Sequence, residues 1–187
     1  MLEFQEQHAD VAFTLDFPIP PGTKREEAQR RQRLTVANAI WALRNRRRGE
    51  MRLSGCIQAW DEESAADCAA QLAQHPFDGF AIGGLVPRAR DWDAIAAIVS
   101  AVQMEIGDGP LHVFELGKPE TTAKLFEMGV DSVDSSSYVK LAADGRLWSR
   151  PGERLEDPSA TDRLNLAIRN LATATHTGLS LGVAGCW

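Results

Sequence analysis

Short apolar runs alternate with longer segments of helical period along nearly the whole chain, and this rhythm limits the fold more than any other feature. Val11-Ala-Phe-Thr-Leu15 reads as a strand that stops in Asp16-Phe-Pro-Ile-Pro-Pro-Gly22, where three prolines forbid regular structure. Thr23 and Glu26 stand at capping-box spacing, and Leu34, Ala37, Ile40, Trp41 and Leu43 recur at helical spacing, predicting one long helix up to Arg48. Strands are then expected at Met51 to Ile57, Phe77 to Ile82, Leu111 to Phe114 and Gly129 to Val133. Helices are expected at Asp61 to Gln74, Asp91 to Glu105, Glu120 to Met128 and Asp162 to Ala174. Strand-helix alternation with short connections predicts right-handed βαβ units and a parallel sheet.

The chain has 187 residues, 44% of them hydrophobic, which is enough for a real core and excludes disorder as a whole-chain description. No apolar stretch reaches the roughly 20 residues of a membrane span, and Glu3, Glu6 and Asp10 stand where a signal peptide would be basic and then apolar. A cytoplasmic protein with no membrane partner is expected. Cys56, Cys68 and Cys186 form no C-x-x-C pair, and the four histidines lack helical metal-site spacing, so no local metal site is expected. The net charge of -6 conceals an asymmetry. Lys24 to Arg52 holds ten basic and three acidic residues, a local +7, against -13 over the remainder.

In parallel α/β proteins ligands sit beyond the carboxyl ends of the strands. Those positions are Asp16, Gln58, Gly83-Gly84, Glu115 and Asp134. Carboxylates, an amide that donates and accepts, and a glycine pair that admits a flat ligand to backbone N–H groups would suit a purine-like base. Each residue also has a purely structural reading: Asp16 as a turn residue, Gly83-Gly84 as a strand terminator, Asp134 as a helix cap, Gln58 as a surface amide, and Glu115 as a solvated loop acid. Arg46-Arg-Arg48 reads either as a solvated helix end or as a phosphate-binding cluster.

The ordered segments Phe80-Ala-Ile-Gly-Gly-Leu85, Leu111-His-Val-Phe-Glu-Leu-Gly-Lys-Pro119 and Gly129-Val-Asp-Ser-Val-Asp-Ser-Ser-Ser-Tyr138 resemble three motifs of the tRNA-guanine transglycosylase family. Gly55-Cys-Ile-Gln58 and Leu15-Asp-Phe-Pro18 are similar to two more. The likeness runs from about residue 5 to about residue 157 and leans toward the archaeosine-type or DNA 7-deazaguanine branch rather than the queuine type. It implies the carboxyl-terminal part of a (β/α)8 TIM-type barrel, with about five β/α units present and the amino-terminal units missing. One catalytic domain is expected over 1–187, with 158–187 a helical and Gly-rich tail in place of the family's zinc region.

By resemblance, Asp134 is the catalytic nucleophile that attacks C1′ of the target nucleotide. Asp16, Gln58, Gly83, Gly84 and Phe114 bind the base, and Asp131 is structural; the phosphate role expected of Arg46, Arg47 and Arg48 rests on their charge and not on the resemblance. The implied function is exchange of guanine for a 7-deazaguanine in tRNA or DNA through a covalent glycosyl-aspartate, a pentosyltransferase reaction. The sequence also departs from the family. It lacks the Asp-Ser-Gly-Gly segment carrying the general acid/base, Glu115 replaces a glycine, and the zinc ligands are absent, with Arg169 near the place of the family's histidine. No cofactor is therefore expected. Expected partners are tRNA or DNA, guanine or 7-deazaguanine, and a second copy or chain completing a barrel of about 250 residues. The alternative is a catalytically inactive base- or nucleic-acid-binding subunit, or a truncated remnant.

Overall fold

The computed structural model describes residues 1–180. The chain divides into two compact units, Met1–Phe114 and Glu115–Trp187. The first contains α1 (Leu2–His8), β1 (Val11–Phe13), α2 (Arg25–Asn45), β2 (Arg52–Ile57), α3 (Glu62–Ala73), β3 (Gly79–Ile82), a 3-10 turn at Val86–Arg88, α4 (Trp92–Ile106) and β4 (Leu111–Val113). Its four strands pair in chain order and in parallel, with Phe13 opposite Ser54, Ile57 opposite Ile82, and Ile82 opposite Val113. The second holds α5 (Pro119–Glu127), β5 (Ser132–Val133), α6 (Ser137–Ala143) and α7 (Ala160–Ser180). Five strands among the described residues alternate with helices, which makes this part of a (β/α)8-type barrel, the fold class the sequence predicts.

Leu53, Ile57, Leu72, Ile82, Ile95 and Val99 are fully buried and form the layer between the sheet and its helices. All four residues of β3 are buried, as expected of a parallel strand covered on both faces. On the other side, Phe13 of β1 meets His112 and Phe114 at ring-centroid distances of 4.9 and 4.8 Å. In a flat sheet three strand spacings would hold β1 and β4 about 14 Å apart, with their side chains upright. The sheet of this unit is therefore rolled about an aromatic interior.

Local interactions correct several expectations. Thr23 forms no capping box, because its hydroxyl donates to the Pro20 carbonyl; Lys24 is the N-cap and makes no side-chain cap bond. A capping box closes instead at Asp61 and Ser64. Helix α2 ends at Asn45 rather than Arg48. The Glu6 carboxylate accepts the N–H groups of Arg47 and Arg48, and Arg46 is extended. Helix α1 buries no residue and so leaves no apolar period to read. Helix α7 reaches Ser180, beyond the expected Ala174.

In the second unit Asn170, 0% exposed, ties three segments together. Its Oδ1 accepts from the Trp148 N–H, and its Nδ2 donates to the Tyr138 and Arg146 carbonyls. The Gly-rich end of the expected tail, with Cys186, lies outside the described residues.

Candidate functional site

The parallel register sets the ends of β2, β3 and β4 in one layer. The Gly83 N–H donates to Ile57 O and the Phe114 N–H to Ile82 O, each at 3.0 Å, which brings Gln58, Gly83 and Phe114 to the same level. Asp16 follows β1 after Thr14, whose N–H donates to Ser54 O. Four of the expected base-binding positions thus share the carboxyl ends of adjacent strands because a parallel ladder aligns strand ends.

A buried polar network connects them. Gln58 is 1% exposed, so the surface-amide reading does not hold. Its Nε2 donates to Asp16 Oδ2 at 2.5 Å, and its Oε1 accepts from the Ile19 N–H at 3.3 Å. The loop that carries Asp16 is fastened to α2: the Phe17 N–H donates to Thr35 Oγ1, and Arg31 donates to Pro18 O. Gln32, also buried, donates to the carbonyls of Gln58 and Ser64, both at 2.8 Å. Asp16 itself is half-buried, and its Oδ1 makes no hydrogen bond among the described residues. It remains an acceptor at the sheet ends beside Gln58 and Gly83.

The glycine pair has a steric reason. A β-carbon on Gly83 would lie 2.3 Å from Gln58 Nε2, and one on Gly84 2.8 Å from Gln58 Oε1; Gly84 also has a φ of 76°. Both glycines therefore let the backbone lie against the Gln58 amide, which neither side chain at 83 nor strand termination alone requires. Phe114 is half-buried and packs on Phe13 and His112. Beyond the ends of β1, β2 and β3 lies an open cleft of about 570 Å³ lined by Pro20, Arg25, Trp60, Pro87 and Arg88. Arg88 donates to Gly84 O and Trp60 O, and burial lowers its pKa.

In the second unit Asp134 is exposed and is not a helix cap, since α6 begins at Ser137 with Ser136 as its N-cap. Its Oδ1 accepts from the Glu115 N–H at 2.7 Å. Glu115 has a φ of 65°, the left-handed region that glycine adopts at little cost, so a strained residue aims this N–H at the carboxylate. Beside it a β-carbon on Gly117 would fall 1.9 Å from Ser135 Cβ, and only glycine allows the two loops to meet. Asp134 and Ser135 border a cavity of about 270 Å³ walled by Phe126, Tyr138 and Trp148.

Arg46, Arg47 and Arg48 do not join the base-binding positions. They precede β2 and so lie at the amino ends of the strands, opposite Asp16 and Gln58. Arg46 pairs with Asp78, and Arg48 bonds to the Glu6 and Ala9 carbonyls and to Asp10. Cys56 and Cys68 are buried, which pushes their thiols up to about 12 and about 11. Among the described residues no group of three or more His, Cys, Asp or Glu is placed to hold a metal ion. Sequence reasoning missed Gln32, Thr35 and the Ile19 N–H, which carry the network; their only trace was a polar pair on the buried face of an amphipathic helix.

A rolled parallel sheet whose strands alternate with helices places the protein in the (β/α)-barrel class. The queuine tRNA-ribosyltransferase family profile matches residues 1–178. The chain is 29% identical over 157 residues to a tRNA-guanine(15) transglycosylase of Methanothermobacter thermautotrophicus, covering 81% of this chain and 24% of the relative. It is 32% identical over 171 residues to the protein so named in Haloferax volcanii, covering 84% and 31%. With the Methanococcus aeolicus protein of that name it shares 30% identity over 165 residues, covering 84% and 25%. The chain belongs to the queuine tRNA-ribosyltransferase family, and it spans about a quarter to a third of the length of these relatives.

Proposed function

We propose that this chain supplies the base-binding wall and the nucleophile of a guanine transglycosylase, a pentosyltransferase that exchanges guanine in a nucleic acid for a 7-deazaguanine. The observation that carries the reading is the Asp16–Gln58 pair seated against Gly83-Gly84 at aligned strand ends. Asp16 accepts from the N1–H and amino group of the base, and Gln58 and the Gly84 N–H read its carbonyl edge. Phe114 supplies an apolar contact for the ring. A carboxylate acceptor facing two adjacent donors gives two charge-assisted hydrogen bonds that adenine, which lacks an N1–H, does not return.

Asp134 is proposed as the nucleophile. One carboxylate oxygen bonds to C1′ as the C1′–N9 bond breaks, and the leaving guanine takes a proton. N9 of the incoming base then displaces the carboxylate, restoring Asp134 and giving up its own proton. The Glu115 N–H orients the carboxylate for this step. The general acid/base is assigned to polypeptide outside these 187 residues, because a second copy of them would lack the Asp-Ser-Gly-Gly segment as well. The relatives, tRNA-guanine(15) transglycosylases by name, favour tRNA over DNA as substrate.

The test measures binding of free guanine by calorimetry, and exchange of labelled guanine into tRNA and into duplex DNA, for the chain alone and with candidate partners. Asp16→Asn is expected to abolish guanine binding. Asp134→Asn is expected to abolish both exchange and a denaturation-resistant nucleic-acid adduct while sparing guanine binding. Guanine binding without exchange in any pairing would make the chain a binding subunit. Neither binding nor exchange would refute the proposal.

A further inference from the structure

We infer that the outer face of α2 is a docking track for a nucleic-acid backbone, with Trp41 as its stacking residue; this rests on the nucleic-acid substrate proposed above. From Ala28 to Gly49 the chain has seven arginines and no acidic residue, in a protein whose net charge is -6. Four of the seven have internal partners: Arg30 and Arg31 pair with Glu27, Arg46 with Asp78, and Arg48 with Asp10. The side chains of Arg33, Arg44 and Arg47 are exposed and form no hydrogen bond or ion pair among the described residues.

At about 100° per residue, Arg30, Arg33, Ala37, Trp41 and Arg44 fall within an arc of about 80° on one side of the helix. Trp41 is 59% exposed, and Ala37, one turn before it on the stripe, is small and exposed as well. Arg30 to Arg44 spans about 21 Å of helix axis, with Arg47 just beyond its end. An exposed indole set among unpaired guanidinium groups is the arrangement that binds a phosphodiester backbone and stacks on an unpaired base or sugar.

The position of the track fits the site. Helix α2 runs from the carboxyl end of β1 back to the amino end of β2. Its first turns therefore lie near Asp16, and the stripe leads from there down the flank of the sheet. A strand with its target base at Asp16 and Gln58 reaches it beyond the first turn of α2, which carries Glu26 and Glu27. Charge complementarity selects this occupant, because the positive stripe is set in a chain that is otherwise at -13.

The experiment uses the full chain with a fluorescent tRNA transcript and, separately, a short duplex DNA, titrated between about 50 and 200 mM salt. The triple variant Arg33→Gln, Arg44→Gln, Arg47→Gln is expected to reduce the slope of log K against log salt by about 2 to 3, and the corresponding lysine triple to restore it. Trp41→Ala is expected to weaken tRNA binding on the order of tenfold with the slope unchanged, and to affect duplex DNA less. Free-guanine binding stays the same in all of these variants. Wild-type salt dependence in the glutamine triple, or binding of anionic vesicles but no nucleic acid, would overturn the inference. Intact guanine binding in the wild type alongside such a result would leave the base-exchange reading standing, so the two fail separately.

Discussion

Replacing Gly83 with alanine tests the pocket geometry without changing a charged group. The new methyl would sit 2.3 Å from Gln58 Nε2 and 3.2 Å from Asp16 Oδ2, roughly 1 Å short of ordinary contact with the amide. A freely mobile side chain would turn away at little cost. Gln58 is 1% exposed and is held at both ends of its amide, by Asp16 and by the Ile19 N–H. Moving it breaks a hydrogen bond to a carboxylate, worth about 1.5–3 kcal/mol, and leaves the buried Ile19 N–H unsatisfied at about 1–3 kcal/mol. Alanine returns up to about 1 kcal/mol by restricting the unfolded chain. The expected net loss is about 2–3 kcal/mol, read as a lower urea midpoint with an unchanged slope. Gly49→Ala, where a β-carbon meets nothing within 4 Å, is the control and should stay within about 0.5 kcal/mol of wild type. In a Gln58→Ala background the cost of Gly83→Ala should fall toward zero, a coupling of at least about 1.5 kcal/mol. An equal cost in both backgrounds would show that Gln58 is not what the glycine accommodates.

Other perturbations give distinct outcomes. Gly117→Ala places a β-carbon 1.9 Å from Ser135 Cβ, an atom fixed to the backbone; it should cost about 1–3 kcal/mol in thermal melts and suppress Asp134-dependent adduct formation while guanine binding persists. Glu115→Gly should raise stability by roughly 0.5–1 kcal/mol, because a left-handed non-glycine residue costs about 1–2 kcal/mol and glycine gives part of that back as unfolded-state entropy. Glu27, hydrogen-bonded by Arg30 and Arg31, is held down at about 2 from an ordinary value of 4.5. Burial opposes ionisation of Asp78, but the Leu53 N–H and the Arg46 guanidinium outweigh it and keep its pKa low. Both carboxylates therefore bind protons more weakly folded than unfolded, so their contribution is present above pH about 4.5 and is lost as pH falls toward 2. Urea titrations across that range should show the loss, and Arg46→Gln should flatten the part due to Asp78. Burial raises Cys56 and Cys68, so in a Cys186→Ser background neither thiol should react with a disulfide reagent at pH 8 until the chain is unfolded, and stability should decline as pH rises above 9.

The alternation of strand and helix was legible because burial on both faces leaves unbroken apolar runs such as Phe80-Ala-Ile82, and helix burial leaves a stripe such as Ile95, Ile98, Val99 and Val102. Boundaries were less legible because they depend on partners distant in sequence: Arg47 and Arg48 leave the helix to meet Glu6, 41 and 42 residues away. Asp16, Gln58 and Gly83 could be named from position alone, since a parallel sheet brings strand ends together; Phe114 was named only through the family resemblance. Gln32 could not, because its two carbonyl partners lie 26 and 32 residues further on.

Sequence by itself determined the kind of chain this is: a parallel α/β barrel portion with carboxylate, amide and glycine chemistry at its strand ends. Those features are local, being written in periodicity and in the residue that follows each strand. Tertiary structure decided which readings of those residues hold. It made Gln58 a buried partner of Asp16 rather than a surface amide, assigned Gly83 the task of admitting that amide, and turned Arg46 and Arg48 inward while leaving Arg33, Trp41 and Arg44 outside. Burial and hydrogen-bond partnership are properties of the packed chain, so no pattern confined to neighbouring residues could have settled them.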